Sequence, residues 1–230
     1  KDEYNCCTWE RVHCNSMTQH VIELDLNALV ESNQSPWVFN VTMLQPFRQL
    51  MSFDLSWNNI GGLVEKDGST RLSTLKNLQS LTLGDNYFEN GLTSLGALTS
   101  LKKLSLIDCG LNESIFQIQE LEILTKLTVL ALSWNEFNSL NFQELKNPRE
   151  LKELYLNSNP FGNSIFQGLV NMTQLQVLDL SWNDGINNSN HTNIQDFSNF
   201  TELQILDLSR LNLDLSGLNF YGSIQDLQCV

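Results

Sequence analysis

Residues 175–183 read LQVLDLSWN, with apolar residues at the first, fourth and sixth places and an asparagine at the ninth. The phrase returns as LMSFDLSWN from Leu50, LQSLTLGDN from Leu78, LKKLSLIDC from Leu101, LTVLALSWN from Leu127, LKELYLNSN from Leu151 and LQILDLSRL from Leu203. Successive starts lie 28, 23, 26, 24, 24 and 28 residues apart. Self-similarity on such a period marks a solenoid, in which coils must stack because none can bury its apolar side alone.

Alternation at the fourth and sixth places predicts a short strand in each coil. Leu81 and Leu83, or Leu178 and Leu180, point inward while Thr82 or Asp179 points out. At the ninth place Asn58, Asn86, Asn135, Asn159 and Asn183 recur where the chain leaves the sheet. An inward amide offers two donor hydrogens and an acceptor, enough to pair turn backbone groups that would otherwise be buried alone. Cys109 fills that slot in the third coil and reads as a buried free thiol; Leu211 fills it in the last, where the ladder is expected to end or distort. Two places farther on, Ile60, Phe88, Leu111, Phe137, Phe161 and Leu213 are set to stack between coils. Leu95, Leu98, Leu121, Leu124, Phe197 and Phe200 then lead into the next strand at three-residue spacing, the habit of a 3₁₀ return.

The unit L-x-x-L-x-L-x-x-N is that of leucine-rich repeats. The expected fold is α/β: a right-handed leucine-rich repeat solenoid with a parallel concave sheet and an amino-terminal cap. Residues 1–27 are expected to form the cysteine-containing cap and first strand, 28–49 a connecting segment, and 50–230 about seven repeats, the last irregular. The coil from Leu215 through Tyr221 to Cys229 matches no cap motif, so an exposed apolar end is expected there.

Lysine and arginine number 13 against 26 acidic residues, a formal charge of −13 that argues against nucleic acid or an anionic bilayer as partner. With 41% hydrophobic and only 17% charged residues the chain is no acidic tail, and its 27 asparagines supply much of the polar surface. It lacks an initiating methionine, a signal segment and any apolar run long enough to span a membrane, so a mature or partial chain is expected. Of the five cysteines, Cys6, Cys7 and Cys14 cluster near the start and Cys109 and Cys229 stand apart. A Cys7 to Cys14 bridge closes a short loop that disulfide geometry accepts, whereas adjacent Cys6 and Cys7 seldom bridge without strain. Five reduced thiols remain an alternative, and a zinc site lacks a fourth ligand. N-x-S/T sites at Asn33, Asn40, Asn112, Asn171, Asn187, Asn190 and Asn199 exceed the roughly four that this composition gives by chance, which supports secretion.

The cap region reads Cys6-Cys7-Thr8-Trp9-Glu10-Arg11-Val12-His13-Cys14, followed by Asn15 and HVIELDL from His20. With the repeats, it resembles the amino-terminal part of plant extracellular leucine-rich repeat receptor-like proteins. The resemblance implies that Trp9 packs under the first strand, that a Cys7–Cys14 bridge pins the loop, and that an upstream cysteine partners Cys6. NSIF from Asn163 and ESIF from Glu113 resemble the G-x-I-P segment of plant-type repeats, with Phe166 and Phe116 in the proline place, which leaves an extra convex strand open. The family continues through many more repeats to a membrane span, so this chain is expected to be a fragment or a short secreted relative.

Catalytic motifs are absent: no G-x-S-x-G, H-E-x-x-H, Walker loop or G-x-G-x-x-G occurs. His13, His20 and His191 share no ligand spacing, and Glu23 with Asp25 are two outward positions of one strand. No cofactor, metal or enzyme activity is expected. What remains is a surface on which Asp54, Ser56, Trp57, Thr82, Asp85, Ser105, Asp108, Ser133, Trp134, Tyr155, Asn157, Asp179, Ser181, Trp182, Asp207, Ser209 and Arg210 face outward. Trp57, Asp85, Trp134, Tyr155, Asp179, Trp182 and Arg210 are the candidate ligand-binding residues, because exposed tryptophans on polar ground make hot spots and can stack on sugar rings. The lengthened coils at 65–71 and 187–193 are expected as surface loops. The resemblance implies recognition at the extracellular face of the plasma membrane or in the apoplast. A protein, peptide or glycan ligand would lie on the concave face, a co-receptor kinase would carry the signal, and any membrane link would lie in a segment outside this chain. A secreted inhibitor of pathogen cell-wall hydrolases, similar to polygalacturonase-inhibiting proteins, and a truncated receptor fragment without independent function are the competing readings.

Overall fold

A computed structural model describes residues 5–30, 35–64, 75–88, 92, 95–145, 150–187, 199–211, 213 and 226–228. The chain winds so that each phrase adds one strand to a single sheet. After the antiparallel pair β1 (Val12–Cys14) and β2 (Val21–Asp25), every further strand is parallel to its neighbour. These are β4 (Ser52–Asp54), β6 (Ser80–Thr82), β7 (Lys103–Ser105), β8 (Val129–Ala131), β9 (Glu153–Tyr155), β10 (Val177–Asp179), β11 (Ile205–Asp207) and β12 (Asp226–Gln228). The fourth place of the phrase sets the register: Leu24, Phe53, Leu81, Leu104, Leu130, Leu154, Leu178, Leu206 and Leu227 lie opposite one another in sequence along the sheet.

Fourth- and sixth-place side chains fill the interior, as Leu104, Leu106, Leu130, Leu132, Leu154, Leu156, Leu178 and Leu180 show by being at most 1% exposed. The next apolar residues stack from coil to coil. Phe116 meets Phe137 edge-on at 6.0 Å between ring centroids, and Phe137 stacks on Phe161 at 6.5 Å. The return paths use 3₁₀ turns at Leu95–Ala97, Ile118–Leu121 and Phe142–Glu144, and the coil after β9 uses a one-turn helix, α1 (Ile165–Leu169).

The asparagine ladder is explicit. Asn135 Nδ2 donates to the carbonyls of Leu106, Leu132 and Ser133 at 2.8–3.1 Å, while its Oδ1 accepts from the N–H groups of Cys109 and Leu111. Asn58, Asn86, Asn159 and Asn183 repeat the donor pattern in their own coils. Each amide ties two coils together and leaves no buried backbone carbonyl at the bend alone. Cys109 is fully buried in the same slot and reaches only the carbonyls of Leu83 and Ile107, at 3.3 and 3.5 Å through sulfur.

The structure adds to one expectation and corrects another. Residues 28–49 are more than a connector: they carry β3 (Trp37–Asn40) and a 3₁₀ turn at Val41–Leu44, and β3 pairs in parallel with β5 (Ile60–Val64) as a second, two-stranded sheet. Trp37 Nε1 donates to the Asn58 carbonyl, which fixes this strand to the end of the first complete phrase. Trp9 does not pack under the first strand. It is 58% exposed at the rim of an apolar hollow formed with Val12, Val21, Leu24, Leu26 and Phe47, because β1 and β2 leave the edge of the first coil uncovered there. The segment NSIF leads into α1, and just before it Gly162 forms an isolated parallel bridge with Gly185 of the next coil. A Cβ on Gly185 would stand 2.5 Å from the Phe161 carbonyl, so glycine permits this approach. Among the described residues no helix is long and apolar enough to cross a membrane.

Candidate functional site

The candidate residues occupy two separate rows. The first is the eighth place of the phrase, just past each strand, where Ala28, Trp57, Asp85, Asp108, Trp134, Ser158, Trp182 and Arg210 all have left-handed backbones with φ of 50–63°. The cause is hydrogen bonding between coils: wherever the next coil's seventh place is described, the N–H group donates to its carbonyl, as Trp57 does to Gly84, Asp85 to Ile107, Asp108 to Ser133 and Trp134 to Asn157. Reaching that carbonyl turns the chain into a region that L-residues enter at a penalty, and a bulky residue there is an outlier. Yet Trp57, Trp134 and Trp182 are 58%, 62% and 54% exposed. Arg210 lies over the Trp182 indole, its guanidinium carbon 5.0 Å from the ring centroid.

Tyr155 and Asp179 belong to the second row, the fifth place, and are direct cross-strand neighbours. Tyr155 Oη donates to the Glu153 carboxylate at 3.0 Å; burial, then that carboxylate, pushes the phenol up to about 12. Asp179 Oδ1 accepts from both the N–H and the hydroxyl of Ser181, closing the strand with a local turn that Asp54 repeats with Ser56. Burial raises the Asp179 pKa, the two Ser181 hydrogen bonds oppose that rise, and Asp207 adds to it. Asp179 thus holds the strand end as well as facing solvent.

Several residues expected to face outward do not. Ser56, Ser133 and Ser181 are about 95% covered, with relative exposures of 5%, 4% and 4%. Their hydroxyls hydrogen-bond Asp54, Asn157 and Asp179, respectively, and turn the seventh place inward. A third-place row was missed: Val129, Glu153, Val177 and the 40%-exposed Ile205 lie side by side along the sheet, with the Glu153 carboxylate between the two valines and bonded to Tyr155. The strand alternation carried that signal, since the third place shares a face with the fifth.

In the cap, Cys7 and Cys14 are bridged at an S–S distance of 2.03 Å and Cys6 is a half-buried free thiol. All three sulfurs lie within 4.8 Å of one another, but the bridge leaves one thiol to act as a ligand, too few for a metal. Of the sequons, Asn171 and Asn199 are exposed, whereas Asn40, Asn112 and Asn187 are half-buried; Asn33 and Asn190 lie outside the described residues, as do Cys229, His191 and loops 65–71 and 188–193. Asn40 Oδ1 accepts from Thr42, and Asn112 Oδ1 from Ser114 and Ile115.

No family model matches this chain. Over 82 residues it is 38% identical to Cuscuta receptor 1 of Solanum lycopersicum, covering 36% of this chain and 7% of that protein. Over 90 residues it is 36% identical to Receptor-like protein 14 of Arabidopsis thaliana, covering 37% of this chain and 9% of that protein. The shared stretch therefore spans less than a tenth of these relatives. Among solved structures, the ectodomain of the Arabidopsis receptor kinase HAESA bound to an IDA peptide hormone superposes with a TM-score of 0.70 at 25% identity, covering 97% of this chain and 36% of that one. An internalin of Listeria monocytogenes superposes with a TM-score of 0.63 at 23% identity over 82% of this chain and 50% of that one, and shows the fold alone. The fold is a leucine-rich repeat solenoid, and the chain is similar to plant receptor-like proteins.

Proposed function

We propose that this chain is the recognition module of a plant receptor-like protein, standing at the extracellular face of the plasma membrane or in the apoplast and holding a protein, peptide or glycan ligand on the open face of its sheet. One observation carries this reading. Three tryptophans occupy left-handed backbone positions at strand ends while remaining more than half exposed. Neither the interior nor the backbone needs an indole there, since aspartate, serine and alanine fill the same place in other coils. A large, rigid, half-dry side chain repeated along an exposed row suits capture of a partner. The HAESA structures hold a peptide hormone, and one of them also holds the co-receptor SERK1. By that likeness the ligand-bound module recruits a co-receptor kinase.

The test is co-precipitation of the full-length receptor with a co-receptor kinase from plant cells, with and without apoplastic fluid. Association that depends on the fluid and disappears when Trp57, Trp134 and Trp182 are all changed to Asn is the expected result. Association indifferent to those changes, or a chain carrying no glycan at Asn171 or Asn199 when made in plant cells, would overturn the reading.

A further inference from the structure

The eighth-place row holds two like-charged neighbours between two of its indoles. Its order along the sheet is Trp57, Asp85, Asp108, Trp134, Ser158, Trp182 and Arg210. Asp85 and Asp108 come from adjacent coils, and Asp108 is exposed. The Asp85 pKa is raised from its ordinary value first by burial and then by the charge of Asp108, and both influences act in the same direction. At the far end of the row the chain itself shows what these indoles accept, because the Arg210 guanidinium lies on Trp182. Trp57 and Trp134 have the same backbone and similar exposure, and among the described residues no cation covers either.

We propose that the segment of the row from Trp57 to Trp134 takes a cationic peptide, whose guanidinium or ammonium groups lie on the two indoles and neutralise Asp85 and Asp108. This rests on the recognition reading above and names its ligand class. The occupant is fixed by charge complementarity. The chain carries −13, the row offers two carboxylates that no cation is shown to balance among the described residues, and stacking a cation on an indole is strongest when a carboxylate stands beside it in a partly dry site. Geometry sets the spacing. Trp57 and Trp134 lie three strand steps apart, about 14 Å, which an extended peptide crosses in roughly four residues. Cations at every fourth place therefore match the indoles. A neutral sugar would also stack on the indoles and donate hydroxyls to the carboxylates, but it would leave their charge uncompensated.

The test measures binding to the secreted, glycosylated chain. The probes are a glycine-serine peptide with arginine at every fourth place, its twins with citrulline or glutamate at those places, and chitohexaose. The arginine peptide is expected to bind, to weaken at least about tenfold at high salt, and to outbind its uncharged citrulline twin by about the same factor. Asp85→Asn with Asp108→Asn, isosteric changes at exposed or half-exposed positions, is expected to weaken binding about tenfold, whereas Glu150→Gln with Glu202→Gln removes the same charge elsewhere and leaves it within about twofold. Equal binding of the citrulline peptide, an equal loss in the Glu150/Glu202 variant, or silence of every peptide would overturn the proposal. Binding of chitohexaose that is lost in Trp134→Asn but kept in the aspartate variant would overturn it while leaving the recognition function standing.

Discussion

Asn135 and Trp134 are chain neighbours with opposite fates. The polar residue is 6% exposed inside the array and the largest apolar residue is 62% exposed outside it. Polarity alone would place them the other way round. Backbone demand decides the inner position, because at each bend several carbonyls and N–H groups face the interior and only an amide reaches them all. No such demand exists at the outer position, where residues as different as Ala28, Asp85 and Ser158 adopt the same left-handed backbone. Inner asparagine is therefore explained by the fold, whereas outer tryptophan is not, and the recognition proposal rests on that difference.

The strongest way to break this contrast is Asn135→Leu. It fills the slot but strands the Leu106 carbonyl and the N–H groups of Cys109 and Leu111, while the Leu132 and Ser133 carbonyls keep Asn159 Nδ2 and the Asp108 N–H. A loss of about 3–5 kcal/mol in denaturant unfolding is expected, large beside a whole-domain stability of about 5–15 kcal/mol. A loss below about 1 kcal/mol would mean that the bends do not need their amides.

Cys109 sharpens the same point from the other side. Its thiol has one hydrogen for two carbonyls, and burial pushes its pKa far up, so it stays protonated. Cys109→Asn should complete the ladder between Asn86 and Asn135 and raise stability by about 1–2 kcal/mol. Destabilisation would show that the third coil has closed around the smaller side chain.

One fifth-place carboxylate, Asp179, makes stability depend on pH. Asp179 is raised chiefly by burial, so its folded pKa lies above the unfolded value near 3.8. Whatever it contributes is complete below the unfolded value and is lost as pH rises through the folded one, leaving the ionised form unfavourable at neutral pH. Asp179→Asn keeps the Oδ1 that accepts from Ser181. The variant should be more stable than its parent at neutral pH by less than ~1 kcal/mol once solvent screening is allowed for. That advantage should vanish in acid, where both side chains are neutral; an advantage that persists there would sink the electrostatic explanation.

How far the sequence could be read follows from the same distinction. Periodicity reports burial, so the strands, the ladder and the interior phenylalanines were legible from the phrase. Pairing that breaks the period was not. Trp37–Asn40 lies in a stretch without the phrase, and its strand exists because the first bend presents the Asn59 and Asn58 carbonyls to Trp37. Strand β12 escaped because its phrase reads Ile224-x-x-Leu227-x-Cys229, with cysteine in the sixth place. Inward Ser56, Ser133 and Ser181 were read as outward because alternation stops where the strand stops, and a short hydroxyl there finds a partner in the fifth-place carboxylate or the next coil. In the candidate site the residue types and their places in the phrase were legible, but the left-handed backbone of the eighth place was not, because neither composition nor period reports φ.

The smallest expected effect is the most discriminating. Trp134→Asn should change stability by no more than about 0.5 kcal/mol, because the indole is mostly in water and asparagine tolerates a φ of 58° better than tryptophan does. Thermal unfolding set beside Asn135→Leu compares two adjacent residues in one phrase. If the outer change proves nearly silent while the inner one unfolds the array, the indole has no structural task, and its exposure at a strained position is left to binding. If the outer change destabilises as much as the inner one, the ring is packing for the neighbouring coils, and the observation that carries the recognition reading is withdrawn. Repeating the change at Trp182, where Arg210 already covers the indole, divides the two explanations further. A small loss is expected there, since about 0.5–1 kcal/mol of cation-on-ring contact goes with the ring at an exposed site.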